Sequence, residues 1–231
     1  MKSALKIILA RFFLLTLYTV QYRFFIFVQN KGFMSTKAER TTDFIIKTVA
    51  PIFNKHGYIG TSMSDLTEAT GLTKGALYGN FENKEALALC AFEHNRKLLL
   101  AAIDERLKIP GTSLDRLSNL TEFYKKYDSF TSTMGGCPVM NVGMDAQHNN
   151  KLLAAASKET IKEIEGKIAL VLETGLNNGE IKIPVTPLQF AKQMLTMLQG
   201  AIVMATVTHD RKYLLNTVAY LDVLMKRELK K

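Results

Sequence analysis

The sequence predicts an all-α protein: an N-terminal three-helix helix-turn-helix domain followed by a larger C-terminal helical domain. Three observations carry this. From Thr41 onward apolar residues recur at three- and four-residue spacing, the period of a helix with one buried face. The stripes are separated by stop signals, Gly57, Gly71, Pro110-Gly111 and Gly179, and no strands, internal repeats or low-complexity tracts interrupt them. Between Thr61 and Leu87 two short stripes flank Gly71 at the spacing of two helices joined by a tight turn. With 47% apolar residues in 231, there is ample material for a core.

The first helix runs from Thr41 to His56, with Phe44, Ile45, Thr48, Val49, Ile52 and Phe53 on its apolar stripe and Gly57 as its stop. Pro51 lies inside it and removes one backbone hydrogen bond, so a bend or local tightening near Ala50 is expected. Tyr58-Ile59-Gly60 connects to the next element. There Ser62 can cap, Asp65 follows three residues on to answer the exposed amides, and Leu66 and Ala69 are expected to face inward. Gly71 ends that helix. Thr73 caps a second short helix with Ala76, Leu77 and Phe81 as its small or apolar contacts, and Asn83 caps a third. This is the geometry that presents a second helix to the major groove of DNA.

Residues 41–87 resemble the DNA-binding domain of TetR-type transcriptional regulators. The family pattern is Thr-x-x-x-Ile-Ala-x-x-Ala-Gly-Val-Ser-x-Gly-x-x-Tyr-x-x-Phe-x-x-Lys-x-x-Leu. Thr61, Ala69, Gly71, Gly75, Tyr78, Phe81, Lys84 and Leu87 match it, and Leu66, Leu72 and Thr73 are conservative replacements. Thr67, Thr70 and Gly79 depart from it. By geometry, Thr73, Lys74, Gly75 and Ala76 lie at the end of the recognition helix that approaches base edges, with Lys74 the candidate for base reading. Gly75 lets the backbone come close to the DNA. Tyr78 and Asn80 offer donors to phosphate, Lys84 with the amides after Asn83 makes a second phosphate site, and Thr61 with Ser62 makes a third.

A long helix follows from Lys84 to about Lys108, through Leu87, Cys90, Ala91, His94, Leu98 and Ala102, and the resemblance implies that it links the reading head to the regulatory domain. Ser113–Ser132 reads as one amphipathic helix with Leu114, Leu117, Leu120, Phe123, Tyr124 and Tyr127 inward. Met134–Asn141 is the least helical stretch of the second half. Its Gly-Cys-Pro-x-x-Asn segment resembles one subgroup of TetR-type ligand-binding domains. Residues 151–178 form another long helix, and Ile181–Pro187 an extended connector. Two last helices span Leu188–Thr208 and Arg211–Lys230. Their apolar positions, among them Phe190, Met194, Met197, Leu198, Leu214, Leu215, Val218 and Leu221, exceed what one helix pair hides, so a homodimer through these helices is expected. The resemblance implies the same arrangement, together with a palindromic double-stranded DNA operator and a small-molecule effector whose binding releases a repressor.

The formal charge of +9 does not by itself argue for DNA. Residues 1–33 hold five bases, Lys2, Lys6, Arg11, Arg23 and Lys31, and no acid. Within 34–90, Lys37, Arg40, Lys47, Lys55, Lys74 and Lys84 are matched by Glu39, Asp43, Asp65, Glu68, Glu82 and Glu85. DNA binding therefore rests on local placement rather than bulk charge. The uncharged run Phe12–Tyr22 is far short of the ~20 residues a membrane-spanning helix needs, so no membrane partner is expected. Because the first helix of the resembled family begins shortly after the initiator, Met34 reads as the natural start. Residues 1–33 are then upstream sequence from a misassigned start, or else a disordered or surface-associated extension. The division expected is 1–33, a DNA-binding domain at 34–84, and a regulatory and dimerisation domain at 85–231.

Cys90 and Cys137 form no disulfide framework, which suits a reducing, cytoplasmic setting. Cys137, flanked by Gly135 and Gly136, is a possible sensor. However, no Lys or Arg lies nearby in sequence to lower its pKa, and packing is its plainer role. Asp145 and His148 near it allow a Cys-dependent hydrolase, which lacks an oriented third partner and an oxyanion device. His56, His94, His148 and His209 have no metal-ligand spacing, so neither a metal nor a cofactor is expected. A DNA-binding regulator that is not an enzyme is the expectation. A membrane-associated regulator using residues 1–33 is the alternative.

Overall fold

The first helix, α1, spans Lys37–His56 and begins one helical turn before the predicted stripe. The computed structural model describes residues 36–230, which hold ten helices and no strand beyond an isolated bridge between Ile181 and Lys230. The readings made for residues 1–33 lie outside these residues.

Local capping chemistry sets most helix boundaries. Helix α2, Met63–Thr70, opens with the predicted capping box: Asp65 N–H donates to Ser62 Oγ at 3.2 Å, and Ser62 N–H donates to Asp65 Oδ2 at 2.7 Å. The Ser62 backbone N–H, and next its hydroxyl, hold the Asp65 carboxyl below its ordinary pKa. Gly71 closes α2 in the left-handed conformation, φ 66°, which glycine adopts without a Cβ penalty. Helix α3, Lys74–Asn80, is capped by Thr73, and α4, Lys84–Leu107, by Asn83. Thr112 and Asp115 form a second capping box at the start of α5, Ser113–Lys125.

The single helix expected over Ser113–Ser132 is two. Lys126 leaves helical geometry at φ −112°, ψ 17°, and α6 restarts at Tyr127–Ser132. The break turns Tyr127 onto Tyr124, with ring centroids 5.0 Å apart in a stacked pair. Pro138 opens α7, Pro138–Asn149, at a position where its missing N–H costs nothing. Asn150 caps α8, Lys151–Asn177, and also donates to Glu85 on α4. The connector from Ile181 leads to α9, Pro187–Thr208, and α10, Lys212–Leu229.

From Thr42 onward the described residues form one compact unit with two buried clusters. The larger joins α4, α5, α8, α9 and α10 around Tyr124, Ile168, Leu198 and Leu221. The smaller lies under the helix-turn-helix. It gathers Ile45, Val49, Phe53, Leu66, Leu77 and Leu87, and also takes Val142 and Ala146 from α7. Residues of the second half thus complete the core of the first.

Two predicted facings are corrected. Phe44 is exposed while Ile45 and Ile46 are buried, and Ala69 is exposed while Thr70 is buried. Thr70 tolerates burial because its hydroxyl donates to the Leu66 carbonyl at 2.7 Å. On α9 and α10, Phe190, Met194, Leu198, Leu214, Val218 and Leu221 are consumed by the protein's own core. The large apolar residues left exposed there are Leu188, Val203, Met204, Val207, Tyr213, Leu215, Tyr220 and Val223.

Candidate DNA-binding interface

Leu66 on α2 and Leu77 on α3 point inward from the two sides of the turn and anchor it to α1 and α4. That anchoring leaves the opposite side of α3 to solvent. Thr73, Lys74, Gly75 and Tyr78 are all exposed, and Lys74 and Tyr78, four residues apart, share one face. Tyr78 is 49% exposed. A methyl group added at Gly75 would meet nothing nearer than Thr73 Oγ1 at 3.8 Å, and one at Gly79 would meet nothing within 4 Å. Packing within the protein does not require glycine at either place, although each costs about 1 kcal/mol of helix propensity against alanine. Close approach of a partner molecule is a reason for accepting that cost.

Other predicted residues are placed differently. Thr61 is fully buried and its hydroxyl donates to the Gly57 carbonyl at 2.7 Å, so it fastens the turn before α2 and its side chain does not face solvent. Ser62 is exposed at the cap. Ala76 is half-buried, its N–H held by Thr73 Oγ1 at 3.1 Å. Asn80 turns toward α1: its Oδ1 accepts from Thr42 Oγ1 and its Nδ2 donates to the Ala76 carbonyl, each at 2.8 Å. One amide N–H of Asn80 is left over.

Lys84 is half-buried at the start of α4. Its ammonium donates to the Tyr58 carbonyl at 2.6 Å and lies 4.5 Å from the centre of the Tyr58 ring. Burial lowers its pKa, opposed by the charges of Asp145 and Asp65. Tyr58, read from the sequence only as part of a connector, is pushed upward in pKa by burial and by Glu85. No local signal marked it, because its partners come from other elements.

Cys137 is buried. The Tyr127 hydroxyl donates to its sulfur at 3.0 Å, and the sulfur faces Gln199 Oε1 at 3.8 Å. Burial raises its pKa, outweighing the hydrogen bonds from Tyr127, Met140 and Val139. His148 is exposed and takes no part in these contacts. Cys90 is raised to about 11, mainly by burial and then by Glu93. Because these folded values lie above those of free thiols, the buried thiol form favours folding below about pH 8.5, and that contribution is lost as pH rises through the folded value. Iodoacetamide at pH 8 is expected to label both cysteines at least tenfold more slowly in the folded protein than in urea, with Cys90 labelling rising toward pH 11. Rapid labelling of Cys137 at pH 7 would contradict its placement.

The first half of the sequence matches the family model for bacterial regulatory proteins of the tetR family over residues 45–90, and the second half matches the tetracyclin repressor-like C-terminal domain over 113–221. A TetR-family transcriptional regulator from Cytophaga hutchinsonii is 31% identical with a TM-score of 0.78, covering 86% of this chain and 100% of its own. A TetR transcriptional regulator from Chloroflexus aurantiacus J-10-FL is 27% identical with a TM-score of 0.80, covering 84% and 98%. The fatty acid metabolism regulator protein of Bacillus subtilis (strain 168) is 22% identical over 169 residues, 73% of this chain and 84% of that protein. A capped helix-turn-helix on a helical body, with these relatives, defines a DNA-binding transcriptional regulator. The chain belongs to the TetR family, whose members are regulators and not enzymes.

Proposed function

We propose that this protein is a cytoplasmic repressor that binds a palindromic DNA operator as a homodimer and is released by a small-molecule effector. The observation that carries the reading is the solvent-facing row Thr73, Lys74, Gly75 and Tyr78 on α3, held outward by the burial of Leu66 and Leu77. Lys74 and the backbone at Gly75 and Ala76 read base edges. Tyr78, Ser62, the free N–H of Asn80, and Lys84 with the amides after Asn83 contact phosphate. Thr61 supports them from inside the turn. The reading head occupies about 34–84 and the regulatory domain about 85–231.

The exposed apolar residues of α9 and α10 support dimerisation, since a second copy of the same face would cover Val203, Val207, Tyr220 and Val223. Two heads so joined meet half-sites about one helical turn apart. An effector acts only through different affinities for the DNA-competent and released states. Selection of bound duplexes from a random pool tests the whole reading. A palindrome with half-sites one helical turn or a multiple apart is expected, and recovery of unrelated sequences would overturn it.

A further inference from the structure

Helix α7 belongs to the regulatory half, yet its side chains reach the turn that orients the reading head. Asp145 Oδ2 accepts the backbone N–H of Tyr58 at 2.7 Å. The turn is shaped for this: Gly57 has φ 75°, and a Cβ there would lie 2.6 Å from the Asp145 carboxyl carbon. The Tyr58 carbonyl in turn accepts from Lys84 Nζ at 2.6 Å, and the Tyr58 ring lies beneath the same ammonium. An ammonium has three N–H donors, so one held by Tyr58 leaves the others to be aimed at a phosphate. One turn back along α7, Asn141 Nδ2 donates to the Asn54 carbonyl at 3.1 Å, while Asn54 Nδ2 donates to the Met134 and Gly136 carbonyls at 2.6 and 2.8 Å. Val142 and Ala146, on the same helix, pack into the core of the reading head. The end of α1 is therefore gripped by α7 and the segment just before it.

We infer that Asp145 is a positioning residue for the operator contact of Lys84, acting through the backbone of Tyr58. The inference rests on the reading of Lys84 as a phosphate contact. Asp145 touches no DNA itself. It fixes the Gly57–Tyr58 peptide and with it the backbone of Tyr58, whose carbonyl in the next peptide holds the ammonium, and a shift of α7 that withdraws the carboxylate frees both. DNA affinity is thereby tied to the position of one helix of the regulatory half, through hydrogen bonds on either side of residue 58. The charge of Asp145 also favours the protonated form of Lys84, in keeping with their proximity.

Amide hydrogen exchange and a double-mutant cycle test this. In the free protein Asp145→Ala is expected to speed exchange of the Tyr58 amide at least tenfold, while Asp145→Asn, which keeps an acceptor oxygen, retains most of the protection. On the operator selected by the unaltered protein, Asp145→Ala and Lys84→Met each weaken binding about tenfold for each head. In the double variant, losing Asp145 costs less than a further twofold, and Asp145→Asn alone stays within about threefold of the unaltered protein. A purely structural role for Asp145 makes the two losses additive, and that result, or unchanged Tyr58 exchange, overturns the inference. If the unaltered protein selects no palindrome, the operator reading fails first and the inference with it. A palindrome bound equally well by Asp145→Ala sinks the inference alone.

Discussion

Replacing Leu66 by Ala is expected to lower the unfolding free energy by about 2–5 kcal/mol, the range for emptying a large buried aliphatic site. Leu66 is 0% exposed and is the inward anchor of α2, an eight-residue helix whose other buried residue is Thr70. A helix that short is not stable alone. Its position depends on insertion among Ile45, Val49, Leu77 and Leu87. Leu77→Ala removes the matching anchor of α3 and is expected to cost a similar amount. Ala69→Ser, on the exposed side of α2, should stay within about 0.5 kcal/mol. Urea unfolding with a common slope measures all three. A loss below 1 kcal/mol for Leu66→Ala would contradict the core described here.

Replacing Lys84 by Met is expected to weaken binding to operator and random DNA alike, about tenfold for each head. Log affinity should also fall less steeply with log salt, by about 0.9 for each lysine lost. The uniform loss follows from the place of Lys84, at a helix start beside the amides after Asn83 and held by the Tyr58 carbonyl. Lys74→Ala should behave differently. Its loss falls on one base position, costs about 1–3 kcal/mol on the selected operator and relaxes the preference there. Titrations between 50 and 200 mM salt separate the two lysines, and an unchanged slope for Lys84→Met would remove it from the phosphate contacts.

The parts legible in the sequence are those whose chemistry is local. Ser62, Thr73, Asn83 and Thr112 act on amides within three residues, so their helices begin where the sequence places them. The expected single helix over Ser113–Ser132 conceals its break because nothing near Lys126 is a helix breaker. The stacking of Tyr124 on Tyr127 accompanies a turn that propensity does not announce. The facings of Phe44 and Ala69 are misplaced for a related reason. A helical stripe gives a direction to within one position, and the neighbouring helix decides which residue lies at its centre.

The sequence by itself determined the all-helical class, the helix-turn-helix with its caps and the family, because motif spacing and capping are properties of neighbouring residues. Only the tertiary structure decided that Thr61 is a buried fastening rather than a surface contact, and that Asn80 turns partly toward α1. It also decided which apolar residues of α9 and α10 the core leaves exposed, and that Lys84 is held by Tyr58 and Tyr58 by Asp145. Asp145 and Tyr58 stand 87 positions apart. Hydrogen bonds act over about 3 Å of space whatever the separation along the chain, so the pair exists only once α7 has packed against the end of α1.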